Sequence, residues 1–174
     1  MLGVTAPAFQ AQGRAMSVEQ VMAGIIMQLP LVVTWSSKKQ NKSGTIQMCA
    51  TSPSGVGNTI RSMLAANARG TVVRYFDNVS EAQMPFCHIL FVNESNIKTA
   101  QRYINLVRGH GVMTVGVSKG FVSSGGVLGF LESSTQLGLF SKSKVRFDIN
   151  ISNARYERLS LDPLLLELAE EVRR

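Results

Sequence analysis

Two short segments, residues 88–92 and 112–117, are apolar at almost every position, and this narrows the fold more than any other feature of the chain. A strand with one face in water alternates polar and apolar side chains, whereas an unbroken apolar strand is buried on both faces. Burial on both faces is the condition of an inner strand in a sheet with helices above and below. Between the two segments, Ile97, Ala100, Tyr103, Ile104 and Val107 recur at helical spacing. Ser95 is placed to cap that helix, and Gly109, His110 and Gly111 stop it. Strand, helix, strand in succession reads as a crossover unit, which implies parallel pairing.

The same alternation begins earlier. Residues 46–51 read as a strand, 57–68 as a helix ended by Gly70, and 71–76 as a strand, with 77–85 as a connection. Upstream, Ser17 and Gln20 form a capping box. Val18, Val21, Met22, Ile25, Ile26 and Leu29 then make one apolar stripe at the helical period. Residues 20–37 carry no charge, but the run is marginal for a membrane span and is interrupted by Gln20, Gln28 and Pro30. It reads as a buried amphipathic helix kinked or ended near Pro30. After residue 117 the pattern changes. Residues 127–131 and 144–151 read as strands able to pair antiparallel. Asp162 and Pro163 open a closing helix with Leu165, Leu168, Ala169 and Val172 inward. The expected fold class is α/β, a single-domain sandwich with a central mixed β-sheet flanked by helices. A chain of 174 residues, 45% hydrophobic and 17% charged, is long enough and apolar enough to bury such a core.

Charge and chemistry-bearing residues bound the function. The net charge is +7, which favours acidic partners. The excess is uneven: before Gly70, the cations Arg14, Lys38, Lys39, Lys42, Arg61 and Arg69 stand against Glu19 alone. They are scattered rather than clustered with aromatics, so no nucleic-acid motif emerges. Cys87 and His88 are adjacent, and in a strand their side chains face opposite ways. His110 is isolated between glycines. These offer no metal-ligand spacing, no nucleophile–base pair and no cofactor fingerprint, so no catalytic residue, metal or cofactor is expected. The two cysteines, Cys49 and Cys87, are compatible with one disulfide, two buried thiols or neither role.

Three segments remain as candidates. The loop at residues 52–58 joins a strand to a helix, where backbone amides can hold an anion. It lacks the Gly-Lys-Ser/Thr of a phosphate loop and the third glycine of a dinucleotide site, so it reads as an ordinary turn. In residues 144–151, Val145, Phe147, Ile149 and Ile151 alternate with Lys144, Arg146, Asp148 and Asn150. The polar set is either a solvated face or the floor of a polar groove, with Arg146 as the clamp for an anion or carboxylate. Phe121, in a glycine-rich loop, is either a core plug or an exposed partner contact.

Residues 2–13 look like the tail of a secretory signal peptide, with Ala6-Pro7-Ala8 as a cleavage site; the plainer reading is a disordered tail. The missing basic leader and apolar stretch are then expected upstream. The chain divides into this segment, residues 1–13, and one folded domain, residues 14–174.

From the first helix to the C-terminus the chain resembles the YfiR-like periplasmic repressor family. The resemblance rests on the opening helix that finishes on Trp35, on Cys49 followed by a loop containing Gly55, and on Cys87-His-Ile-Leu-Phe91. It continues through Met113-Thr-Val-Gly116, then Gly120-Phe121 with Gly125-Gly126, then Arg146-Phe-Asp-Ile-Asn150, and ends with Leu165-Leu-Glu-Leu-Ala169. Each motif is weak alone, and their joint order is what is specific. The resemblance implies a periplasmic location and a disulfide between Cys49 and Cys87. It implies a repressor that binds the periplasmic sensor region of a membrane diguanylate cyclase, lowering cyclic di-GMP signalling and biofilm formation. Another membrane signalling protein is an alternative partner, and a homodimer is compatible. The expected binding residues are Arg146, Asp148, Asn150 and Phe121. The competing expectation is a sensing domain that holds a small anionic or zwitterionic metabolite near Arg146 and Asn150.

Overall fold

The computed structural model describes residues 16–39, 44–67, 72–131 and 145–174. In chain order the elements are α1 (Val18–Val32), β1 (Val33–Thr34), β2 (Ile46–Ala50), α2 (Gly55–Ala66), β3 (Val73–Phe76), β4 (Ile89–Val92), α3 (Ile97–Val107) and β5 (Met113–Gly116). There follow β6 (Leu128–Leu131), β7 (Arg146–Asn150), α4 (Ile151–Tyr156), β8 (Ser160–Leu161), α5 (Pro163–Leu168) and β9 (Glu171–Arg173). Single 3-10 turns lie at Met84–Phe86 and Val122–Ser124. The main sheet runs β3-β2-β4-β5-β6-β7-β9. Its first five strands are mutually parallel, β7 is antiparallel to β6, and β9 is parallel to β7. The protein is therefore an α/β fold with a central mixed sheet flanked by helices, and β4 and β5 are buried at every position.

Strand alternation divides the core into two layers. On one face, α1 and α2 bring Ile26, Leu29 and Ile60 onto Met48, Ile89, Phe91 and Met113. On the other, α3 sets Ala100, Ile104 and Val107 against Leu90, Val92 and Phe121. The capping box at Ser17 and Gln20 is present, and α1 runs through Pro30 for two further residues before ending. Among the described residues no helix is long and apolar enough to cross a membrane.

The sequence reading misplaces several ends, each for a local reason. Asn96 rather than Ser95 caps α3, accepting from the Lys98 and Thr99 amides. The strand expected to run to Ile151 stops at Asn150, whose side chain accepts from Asn153 N–H and opens α4. The closing helix is short. Leu168 is 66% exposed rather than inward, and Val172 lies in β9, because the helix ends at Leu168 and the chain turns to extend the sheet. The two-residue strands β1 and β8, which pair antiparallel, carry too little pattern to be read from sequence.

Candidate functional site

The sheet is covered unevenly. The crossover from β2 to β3 carries α2, and the crossover from β4 to β5 carries α3. The return from β3 to β4 must pass behind β2, and it does so without an α-helix. Residues 77–88 make this passage with only the turn at Met84–Phe86, and Met84 and Cys87 pack in the same layer as α3. The β2–β3 end of that layer is left open as a groove of about 460 Å³, lined by Gln47, Cys49, Phe76, Val79, Phe86 and Cys87 among others. Phe76 is 44% exposed and Phe86 72% exposed. Two exposed aromatics lining one cavity differ from the scattered apolar side chains of an ordinary surface.

A disulfide joins Cys49 on β2 to Cys87 at the end of the turn, with Cα atoms 6.0 Å apart. Pairing of Met48 with Ile89 brings these positions side by side. Both sulfur-bearing residues are buried, so the bridge is the floor of the groove and fixes its wall to the sheet.

The far side of the same wall is held by a buried polar network. His88 accepts from Gln47 N–H at Nδ1 (3.1 Å), leaving Nε2–H to donate to Lys39 O (3.1 Å). Trp35 Nε1 donates to His88 O at 3.1 Å, with the two rings edge to face at 5.7 Å. Burial, with the Lys39 charge beside it, holds His88 below its usual pKa and therefore neutral. Lys39 donates to Pro85 O at 2.6 Å, next to Phe86. Burial brings Lys39 down to about 8, against the pull of Glu157. Glu157 in turn accepts from the Gly109 and Gly111 amides at 2.8 and 2.9 Å. His88, an isolated histidine in the sequence, is thus a buttress for the turn.

The residues expected to bind lie on the same face of the sheet, toward its opposite edge. Arg146 pairs with Glu170 at 2.7 Å. Its Nε is buried and has no hydrogen-bond partner among the described residues. Asp148 is buried, with one carboxylate oxygen unpartnered. Burial, and then the Glu171 charge, raise its pKa. Asn150 caps α4 and donates to Val122 O. Phe121 is 1% exposed, and its ring fills the space that Cβ atoms on Gly116 and Gly126 would occupy. It is a core plug and not an exposed contact, because the short β5–β6 crossover folds it under the sheet. Lys144 lies outside the described residues.

The turn at residues 52–58 is an ordinary helix start. Ser54 takes the Gly57 amide at 3.0 Å, and the Glu19 side chain packs against Gly55, which places a carboxylate at the positive end of α2. Sequence reasoning missed Phe76 and Phe86. The available signal was Phe76 alternating in phase with Arg74, on the face left to solvent.

A family model described as YfiR/HmsC-like matches residues 19–170. No curated protein compared with the chain matches it. Among solved structures, it is similar to a conserved domain protein from Vibrio cholerae O1 biovar eltor. The TM-score is 0.61 with 9% identity, over 91% of this chain and 61% of that one. An ABC domain in complex with L-Trp from Streptococcus pneumonia gives a TM-score of 0.49 with 12% identity, over 88% of this chain and 60% of that one. The likeness to the first is one of fold, and the chain spans about three fifths of the length of either solved chain.

Proposed function

The chain belongs to the YfiR/HmsC-like family, and on that premise we propose that it is a periplasmic, non-enzymatic regulator that acts by binding another protein. The partner we assign is the periplasmic sensor region of a membrane diguanylate cyclase, which it represses, lowering cyclic di-GMP and biofilm formation. Residues 14–174 form the regulatory domain. A disulfide suits an oxidising compartment. The observation that carries the reading is the open groove over the bridge, with Phe76 and Phe86 exposed on its lining. Aromatic anchors beside a rigid cavity are the usual energetic centre of a protein interface.

The test is genetic and quantitative. Deleting the gene should raise cellular cyclic di-GMP, and the wild-type gene should restore it. The Phe86→Ser variant should reach wild-type levels in the periplasm and fail to restore it. An unchanged level after deletion sinks repression. Full restoration by Phe86→Ser moves the docking surface away from the groove.

A second reading, a site for a small anionic metabolite, is favoured by the unpartnered Nε of Arg146. In it Arg146 clamps the anion, with Asp148 and Asn150 setting the polar surroundings. Arg146→Ala should then abolish binding of a carboxylate ligand in calorimetry without loss of folding. Equal binding by the variant removes Arg146 from any site.

A further inference from the structure

On the side of the groove the main sheet ends at β3, and among the described residues nothing pairs with the outer edge of that strand. The register of β2 on β3 fixes which backbone groups are free. Ile46 lies across from Val73, and its N–H donates to Val72 O. Along a parallel ladder the N–H and C=O of Arg74 and the N–H of Phe76 then also face β2. The N–H and C=O of Val73 and Tyr75 face outward, a template for another strand. The side chains of Val73 and Tyr75 pack in the α1–α2 layer. The other face of the strand carries Val72, Arg74 and Phe76, all three exposed. Gln47 and Cys49, which pair with Arg74 and Phe76, line the groove, so these exposed side chains stand on the groove face.

We infer that this edge takes an extended segment of the partner protein as one more strand, antiparallel to β3. An acidic residue of that segment lies across Arg74, and apolar residues lie two positions to either side of it. The inference rests on reading the groove as a docking surface and names what docks beside it. Arg74 has no ion pair among the described residues. A charge on an edge by itself guards a strand against pairing. An acid directly opposite turns the same charge into a selective attraction, because opposite charges across a strand pair stabilise it. The net charge of +7 favours an acidic segment at longer range. The hydrogen bonds agree. In antiparallel pairing the outward groups of Val73 and Tyr75 make two hydrogen-bonded pairs, and Arg74 falls in the close non-hydrogen-bonded pair between them. The flanking apolar residues meet Val72 and Phe76, and the one across Phe76 extends the exposed aromatic surface that lines the groove. In such strand addition the main chain gives affinity and alternate side chains give specificity.

The probe is an acetylated and amidated heptapeptide with glutamate at its centre, leucine two places to either side and threonine elsewhere. It is added at millimolar concentration to the purified protein with its disulfide intact. Amide exchange followed by NMR should slow at Val73 and Tyr75 and stay unchanged at Arg74 and Phe76, whose N–H groups already face β2. N-methylation of the threonines beside the glutamate blocks the amides that meet Val73 and Tyr75 and should abolish binding. N-methylation of the glutamate, whose amide faces away, should not. Arg74→Glu should weaken binding roughly fivefold, and an arginine-centred peptide should recover it on that variant. Circular dichroism checks that the variant is folded. Absence of binding overturns the inference. So does binding that leaves the Val73 and Tyr75 amides unprotected, or a folded Arg74→Glu protein that binds the first peptide equally well. The groove reading survives any of these if Phe86→Ser still fails to restore repression, so the two readings fail separately.

Discussion

Single residues here act through what surrounds them. Phe121 is held between Gly116 and Gly126, where no Cβ fits. Phe121→Ala should cost about 3–5 kcal/mol, the range for deleting a buried aromatic ring, measured by urea unfolding. His88 sits below its ordinary pKa of 6.5 because it is buried beside Lys39. The unfolded chain then takes up a proton more readily than the folded one. The stability this gives is full above about pH 6.5 and is lost as pH falls toward the lower folded value. Melting temperature should drop between about pH 7 and 5, and the drop should shrink in His88→Gln. Asp148 has the opposite sign. Its pKa is raised from 3.8, so its stabilising, protonated form is lost as pH rises through that higher value. Asp148→Asn should raise the melting temperature at neutral pH, and a lower one would show that the carboxylate is needed as an acceptor.

At the scale of elements, several junctions are held by side chains rather than by the ladder. Asn153 donates to Val122 O at 3.2 Å and Gly126 O at 2.8 Å, so α4 carries the β5–β6 crossover. Asn153→Ala takes the side-chain donor from Gly126 O, leaves Val122 O with the Asn150 amide alone, and removes nothing from the core. It should cost about 1–3 kcal/mol and speed amide exchange at residues 122–126. Across the sheet, Lys39 ties the segment after β1 to the turn that presents Phe86. Ordering of that turn therefore depends on a residue far from it in sequence.

For the molecule as a whole, the disulfide is the largest single constraint. It closes a loop with a sequence separation of 38, for which chain entropy gives about 4 kcal/mol. That is a large part of the roughly 5–15 kcal/mol that holds a typical domain together. Reduction, Cys49→Ser and Cys87→Ser should lower the melting temperature by similar amounts. Loss of order should begin at β2 and the turn that walls the groove, and hydrogen exchange there should rise before exchange in β4 and β5. A reduced protein melting as the oxidised one does would make the bridge dispensable.

The sequence determined the layers, because burial writes itself into periodicity. Unbroken apolar runs at β4 and β5 demanded cover on both faces, the stripe on α1 demanded a core, and Ser17, Gln20, Asp162 and Pro163 marked helix starts by local chemistry alone. The order of motifs carried the family and, through it, the pairing of Cys49 with Cys87. Only the tertiary structure decided where cover was missing. Periodicity records that a residue is buried, not what buries it, so residues 77–85 read as a connection between strands, but nothing in them announced that it passes behind β2 or leaves a groove there. Asn150 looked like one more polar position in an alternating strand, and it became a cap because the chain turns there. Phe121 was open between plug and contact until a short crossover folded it inward. Val172 continued a helical stripe on paper. In the fold it lies in the outermost strand, because α5 ends at Leu168 and the backbone beyond it pairs along β7, a long-range partner that no local pattern records.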